Sequence, residues 1–243
     1  MKTIAVASVF LWGACLISFA QSGEKSVTWD DPAGDVQPSR GAPTRPVLDI
    51  VNLRAEGRDG FIHLTAKIKG NFKDFFDWAD AKSNKWGGVL VEYYLDTDNN
   101  KQTGGSPMWA EKATRPLGGY EFKAGVALGY RFKEKKSGQE SAAGGKIGLD
   151  TTKHEILGPS VTYTLGKLKP EGAADPIRRD PKDPTKTFAQ LSTMGTDSVE
   201  IRIPYSLLGI KEGDIVRICF DEVGQGPNSA EGFSEDKQLT VAK

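Results

Sequence analysis

From Leu48 to Gly70 the chain alternates apolar and polar residues on either side of Gly57-Arg58-Asp59-Gly60, which predicts two antiparallel strands joined by a tight hairpin. The same alternation predicts further strands at 87–96 (GGVLVEYYLD), 119–132 (GYEFKAGVALGYRF), 160–167 (SVTYTLGK), 197–204 (DSVEIRIP) and 214–223 (DIVRICFDEV). Short strands separated by turn residues indicate an all-β chain: an antiparallel β-sandwich of the jelly-roll or immunoglobulin-like kind. Only Asn71 to Lys85 reads as a helix, short and inserted between strands, with Phe72, Phe75 and Phe76 packing as a satellite core. Pro204 cannot donate to a ladder, so the strand before it ends there and Tyr205 to Leu208 turns or makes a short helix. Ile201, Ile203, Leu207, Leu208, Ile215, Ile218 and Phe220 are the expected core of this region. Two stretches, 133–146 and 169–186, read as long surface loops.

Composition narrows the class. The 243 residues are 38% hydrophobic and 9% aromatic, which suffices for a folded core and argues against disorder. The 32 basic residues balance 32 acidic ones without a basic block, so no surface is built to attract nucleic acid. Residues 1–20 have the form of an export signal: Lys2, an apolar stretch from Ile4 to Phe19, and Ser18-Phe19-Ala20 as a small-x-small cleavage site. The mature chain is expected to be one domain, 21–243, secreted or periplasmic and monomeric. The apolar run is shorter than the ~20 residues that a stable membrane span needs. Lipidation at Cys15 is disfavoured by Trp12 and by the apolar residues that continue past the cysteine. Cleavage leaves Cys219 alone, a buried strand thiol without an internal disulfide partner.

The chemistry concentrates in YLDTDNNKQTGG, residues 94–105. Calcium takes about six to eight oxygen ligands, and Asp-x-Asp-x-Asn spacing lets alternate side chains of a tight loop converge on one ion. Asp96, Asp98 and Asn100 have that spacing; a polar hairpin turn is the competing reading. The loop is not an EF-hand, because the sixth position from Asp96 is Lys101 where glycine belongs and the twelfth is Pro107 where glutamate belongs. Further ligands must come from elsewhere, and Glu121, at the start of the following strand, either returns beside the loop or is a solvent-facing strand residue. A second acidic group, Asp30, Asp31 and Asp35 in WDDPAGDVQPSRG with Asp49 beyond, is either a cation site or ordinary turn chemistry.

The order of these motifs, WDDPAGD, LDIVNLRAEGRDGFIHLTAKIKG, YLDTDNNKQTGG with GGYEF, and VEIRIPYSLLGIKEGDIVRICFDEVG, resembles a group of calcium-binding β-sandwiches. That group comprises the family 9 carbohydrate-binding modules, the DOMON-like domains and the C-terminal module of glucodextranase. The likeness leaves 133–196 uncovered. It implies a sandwich with structural calcium, carried onto Asp96, Asp98 and Asn100 and further onto Asp31, Asp35 and Glu121. It also implies carbohydrate as partner, gripped between aromatic side chains.

Trp78, Trp86 and Trp109 lie in or beside expected loops, and flat indole faces suit the apolar face of a pyranose; core packing is the alternative for each. Catalysis has little support. His63 and His154 stand far apart, with no nucleophile motif or zinc spacing beside either, and His63 reads as a strand-face residue. Other roles stay open: a structural or adhesive exported domain, or haem binding through His63 with Met108 or Met194. The expectation is a non-catalytic, exported, calcium-binding sandwich that recognises carbohydrate.

Overall fold

The computed structural model describes residues 24–31, 49–81, 88–107, 110, 115–144, 152–177, 191–221 and 234–243. In chain order these form β1 (Ser26–Asp30), β2 (Ile50–Arg58), β3 (Phe61–Ile68), α1 (Phe72–Ala81), β4 (Gly88–Asp96), β5 (Phe122–Glu134) and β6 (Glu140–Gly144). There follow β7 (His154–Leu168), β8 (Ala174–Pro176), β9 (Thr193–Met194), β10 (Ser198–Pro204), α2 (Tyr205–Leu208), β11 (Ile215–Asp221) and β12 (Lys237–Thr240). The chain is an all-β sandwich of two antiparallel sheets, ordered β1-β2-β3-β10-β9 and β12-β11-β4-β5-β7-β8, with β6 added on β5. The expected export signal lies outside the described residues.

Local chemistry explains the elements. Asp59 and Gly60 both take positive φ, 54° and 81°, which makes the two-residue turn whose twist matches flanking strands and brings Arg58 opposite Phe61. The period of two then places Ile62, Leu64, Ala66 and Ile68 of β3 inward beside Val199, Ile201 and Ile203 of β10. From the other sheet, Tyr93 and Leu95 of β4, Val126 and Leu128 of β5, and Val216, Ile218 and Phe220 of β11 complete one shared core. Pro204 is the last residue of β10, and α2 follows and closes on Gly209 in the left-handed conformation.

Helix α1 starts with a reciprocal cap: the Asp74 amide donates to Asn71 Oδ1 at 2.9 Å, and Asn71 Nδ2 donates to Asp74 Oδ2 at 2.7 Å. Phe72 and Phe76 enter the main core, so the expected satellite cluster is a continuation of it. Phe76 meets the Tyr130 ring edge-on at 5.7 Å.

Three expectations are corrected. The stretch 133–146 is not a loop throughout, because β5 runs to Glu134 and β6 turns back along it, pairing Lys133 with Glu140. The stretch 169–186 contains β8, whose Ala174 pairs with Leu168; glycine and proline at its ends conceal a strand three residues long. Ile215 is half-buried, whereas Val216 is fully buried, because alternation along β11 gives the inward places to 216, 218 and 220.

A smaller cluster, Tyr94, Leu117, Tyr120, Leu168 and Cys219, packs on the outer face of the seven-stranded sheet. It lies where the segment linking β4 to β5 folds back over the strands. A Gly105–Tyr120 bridge closes that segment, with the two residues exchanging amide bonds at 2.8 and 3.1 Å. Cys219 is fully buried there, and burial pushes its thiol up to about 12, which makes it inert, as expected of a strand cysteine.

Candidate metal centre

The last ladder pair between β4 and β5 is Leu95 with Phe122. One step beyond it stand Asp96 and Glu121, so ordinary antiparallel pairing returns Glu121 beside the loop. Asn99, at φ 52°, turns the chain sharply just past Asp98. Ligand oxygens of Asp96, Asp98 and Glu121 all lie within 4.8 Å of one another. Asp96 is fully buried, Glu121 half-buried and Asp98 exposed, so the group forms a pocket of oxygens open on one side.

Acceptors outnumber donors in this group. Asp98 Oδ1 accepts the Asn100 amide at 2.9 Å, and Glu121 Oε2 accepts the Thr97 amide at 2.7 Å. Thr103 Oγ1 lies 3.1 and 2.9 Å from the two Asp98 oxygens, 2.9 Å from the Asn100 carbonyl and 3.2 Å from Glu121 Oε1. A hydroxyl has one proton, so it serves one of these four oxygens well. Burial raises the Glu121 carboxyl above its ordinary value; the Thr97 amide opposes this, and the charges of Asp96 and Asp98 add to it. Burial also raises Asp96, against the pull of Arg217.

Sequence reading did not single out Arg217. It is buried, at 3% exposure, and opposes Asp96 directly across β11 and β4. Its Nε and Nη2 donate to Asp96 Oδ2 at 2.9 and 2.6 Å, and Nη1 donates to Asp236 Oδ2 at 2.9 Å. Nη2 also reaches the Gly118 carbonyl at 2.7 Å, and the guanidinium lies 4.6 Å from the Tyr120 ring centre. The Tyr120 hydroxyl donates to Asp236, which Arg115 also approaches at 3.2 Å. One signal was legible in advance: an arginine at the middle of the apolar run DIVRICF needs a buried partner.

Two glycines let the loop press onto this knot. A Cβ on Gly119, at φ 76°, would stand 2.4 Å from Lys101 Cα and 2.9 Å from Arg217 Nη2. A Cβ on Gly104, at φ 63°, would stand 2.4 Å from the Tyr120 carbonyl oxygen and 2.7 Å from Glu121 Oε1.

The donor set is carboxylate, hydroxyl and carbonyl oxygen, without nitrogen or sulfur, and it can hold a metal ion of the hard class. Among the described residues, only Asp96 of the three carboxylates is paired with a guanidinium, that of Arg217.

The other sequence-stated candidates are distributed differently. Asn100 contributes to the loop through its main chain, since its Oδ1 accepts the Gln102 amide at 3.1 Å. Asp31 follows β1 on the other sheet and stands apart from the three-carboxylate group; its amide donates to the Val51 carbonyl at 3.3 Å. Asp35, Trp86, Trp109 and Met108 lie outside the described residues, as does the side chain of Trp78. His63 is bound through Nδ1 to Glu200 at 2.8 Å on the outer face of the five-stranded sheet. Met194 pairs with Val199, a core-facing position, and therefore lies on the opposite face from His63. Among the described residues no helix is long and apolar enough to cross a membrane. Comparison with protein-family models, curated proteins and solved structures finds no match to this chain.

Proposed function

We propose that this chain is an exported β-sandwich that holds calcium in the 96–121 loop and whose task is non-catalytic recognition of carbohydrate. The observation that carries the calcium part is the excess of acceptors: Asp98, Glu121 and the Asn100 carbonyl share one Thr103 hydroxyl proton. A divalent cation satisfies several oxygens at once and relieves the Asp96 and Asp98 repulsion that adds to burial in raising Glu121. Calcium suits the group better than magnesium because the oxygens come from a loop and a strand end of unequal burial, a mixed set that flexible coordination tolerates. The carbohydrate part is supported by the motif order that the chain shares with family 9 carbohydrate-binding modules and their relatives.

The test is calorimetric titration of calcium into the chelator-treated mature chain, with Asp98→Asn as the control. Binding that is lost in the variant supports the cage; absence of heat and of any melting shift on adding calcium overturns it. Soluble oligosaccharides titrated in the presence of calcium test the second part, and their failure to bind would leave the adhesive role as the better reading.

A further inference from the structure

The short strand β12 ties the two sheets together. On one side it pairs with β11, from Ile215 opposite Thr240 to Ile218 opposite Lys237. On the other side the Thr240 amide donates to the Glu24 carbonyl at 2.7 Å, just before β1, and the Ala242 amide donates to the Gly57 carbonyl of β2 at 3.3 Å. The Tyr205 hydroxyl donates to the Ala242 carbonyl at 2.9 Å, and Leu239 and Val241 are buried in the shared core. Four residues of ladder are few, and the base of the strand is anchored in a second way.

Two links run from that base to the carboxylate loop. Gln238 of β12, Arg217 of β11 and Asp96 of β4 form one row across three strands. The buried link is Arg217, which holds Asp96 Oδ2 on one side and, through Nη1 at 2.9 Å, Asp236 Oδ2 on the other; Asp236 directly precedes β12. Asp96 Oδ1 is turned to the loop and accepts the Asn100 amide at 3.2 Å. The surface link is Gln238 Nε2, which donates at 3.3 Å to Oδ1 of Asn99, next to Asp98. Arg217 Nη2 also donates to the Gly118 and Gly119 carbonyls at 2.7 and 3.3 Å, so the chain leading to Glu121 rests on the same guanidinium. Lifting β12 takes Asp236 from Arg217 and Gln238 from Asn99 at once.

We propose that the carboxylate loop and β12 open and close as one cooperative unit, so that a cation held by Asp96, Asp98 and Glu121 locks the C-terminal strand across both sheets. This rests on the calcium reading above and gives the ion a task in the fold. An occupied loop fixes Asp96, Asp96 orients Arg217, and Arg217 holds Asp236. An ion that binds the closed unit alone makes its opening rarer by mass action. The lock is local: β6 pairs with Gly129 to Lys133, at the other end of β5 from Glu121.

The experiment is amide hydrogen exchange, read by mass spectrometry, on the full mature chain freed of calcium and again at about a hundredfold calcium excess over the dissociation constant from calorimetry. Without calcium, residues 237–242 are expected to exchange faster than β3, as a strand that opens on its own does. Calcium is expected to slow them by about tenfold to a hundredfold and to leave β6 unchanged. Asp236→Asn combined with Gln238→Ala cuts both links without touching a carboxylate of the loop. This variant is expected to keep calcium binding while β12 no longer slows. If it does not fold, the exchange of the unaltered chain decides alone. Calcium heat with β12 unchanged, slowed no more than β6, or no faster than β3 in the calcium-free chain overturns the coupling and leaves the calcium reading intact. Absence of calcium binding overturns both.

Discussion

Each sheet carries a partly buried group of ionisable side chains, and the two groups balance their hydrogen bonds in opposite ways. On the five-stranded sheet, Glu200 accepts His63 Nδ1 at 2.8 Å and Arg202 Nε at 3.0 Å, while Arg58 Nε donates to Glu56 at 3.1 Å. Each acid there has a base, and the His63 and Arg202 bonds outweigh burial to hold Glu200 below its ordinary value. On the seven-stranded sheet, among the described residues, only Asp96 of the three carboxylates meets a base, Arg217; Asp98 and Glu121 have main-chain amides and compete for one Thr103 hydroxyl proton, and Glu121 is raised. Charge density alone does not mark a cation site. The balance of donors against acceptors does, since a group that completes its own bonds has no use for an ion.

The largest expected effect tests how the two groups are anchored. Arg217→Met leaves the fully buried Asp96 without its counter-charge and is expected to cost about 3–5 kcal/mol, read as a lowered denaturation midpoint. Glu200→Gln, in the group that keeps other partners, is expected to cost only about 1 kcal/mol. Equal costs would break the comparison. Gly119→Ala comes next, at about 3 kcal/mol, because the added methyl meets the Lys101 backbone in a left-handed conformation. A loss near zero would mean that the loop does not press on Arg217.

Calcium sharpens the contrast further. At about a hundredfold excess over its dissociation constant it is expected to stabilise the chain by about 2.7 kcal/mol, raising the melting temperature. The gain should vanish in Asp98→Asn and persist in Glu200→Gln. Loss of the gain in both variants would mean that the two faces are not independent.

The smallest expected effect is in pH, and its sign differs between the groups. The folded-state value of Glu121 is raised above the ordinary 4.5, so in the calcium-free protein its contribution to stability falls as pH rises from about 4.5 upward. The folded-state value of Glu200 is lowered, so its contribution is present above about 4.5 and is lost as pH falls through the folded value. Between about pH 4.5 and neutrality, where Asp96 and Asp221 are raised as well, Glu121→Gln should therefore lessen the slope of the calcium-free stability curve. Below about pH 4.5, Glu200→Gln should flatten it instead. Melting curves across that range for both variants decide the matter, and the same slope in each would overturn the assignment.

Much of the fold was legible because its signals are local. The Asp59-Gly60 turn, the period of two in β3 and β10, and the stop at Pro204 each depend on a few adjacent residues, and each holds in the structure. The strands that escaped notice, β1, β6, β8, β9 and β12, contain two to five residues each, too few for periodicity to register. The inward place of Val216 over Ile215 also escaped, since both are apolar and only pairing with β4 and β12 sets the phase.

In the candidate centre, the spacing of Asp96 and Asp98 and the return of Glu121 were readable because chain connectivity brings them together. Arg217, Asp236 and Tyr120 were not, since they come from separate stretches and meet only when β11 is placed beside β4. The amino-acid sequence by itself determined the all-β class, the hairpins and the clustering of carboxylates in one loop, all of which follow from neighbours along the chain. Tertiary structure alone decided which carboxylates have partners, placing Arg217 behind Asp96, His63 beside Glu200 and Asp221 opposite Glu92. Hydrogen-bond balance depends on distances across strands, and those distances exist only once the sheets have formed.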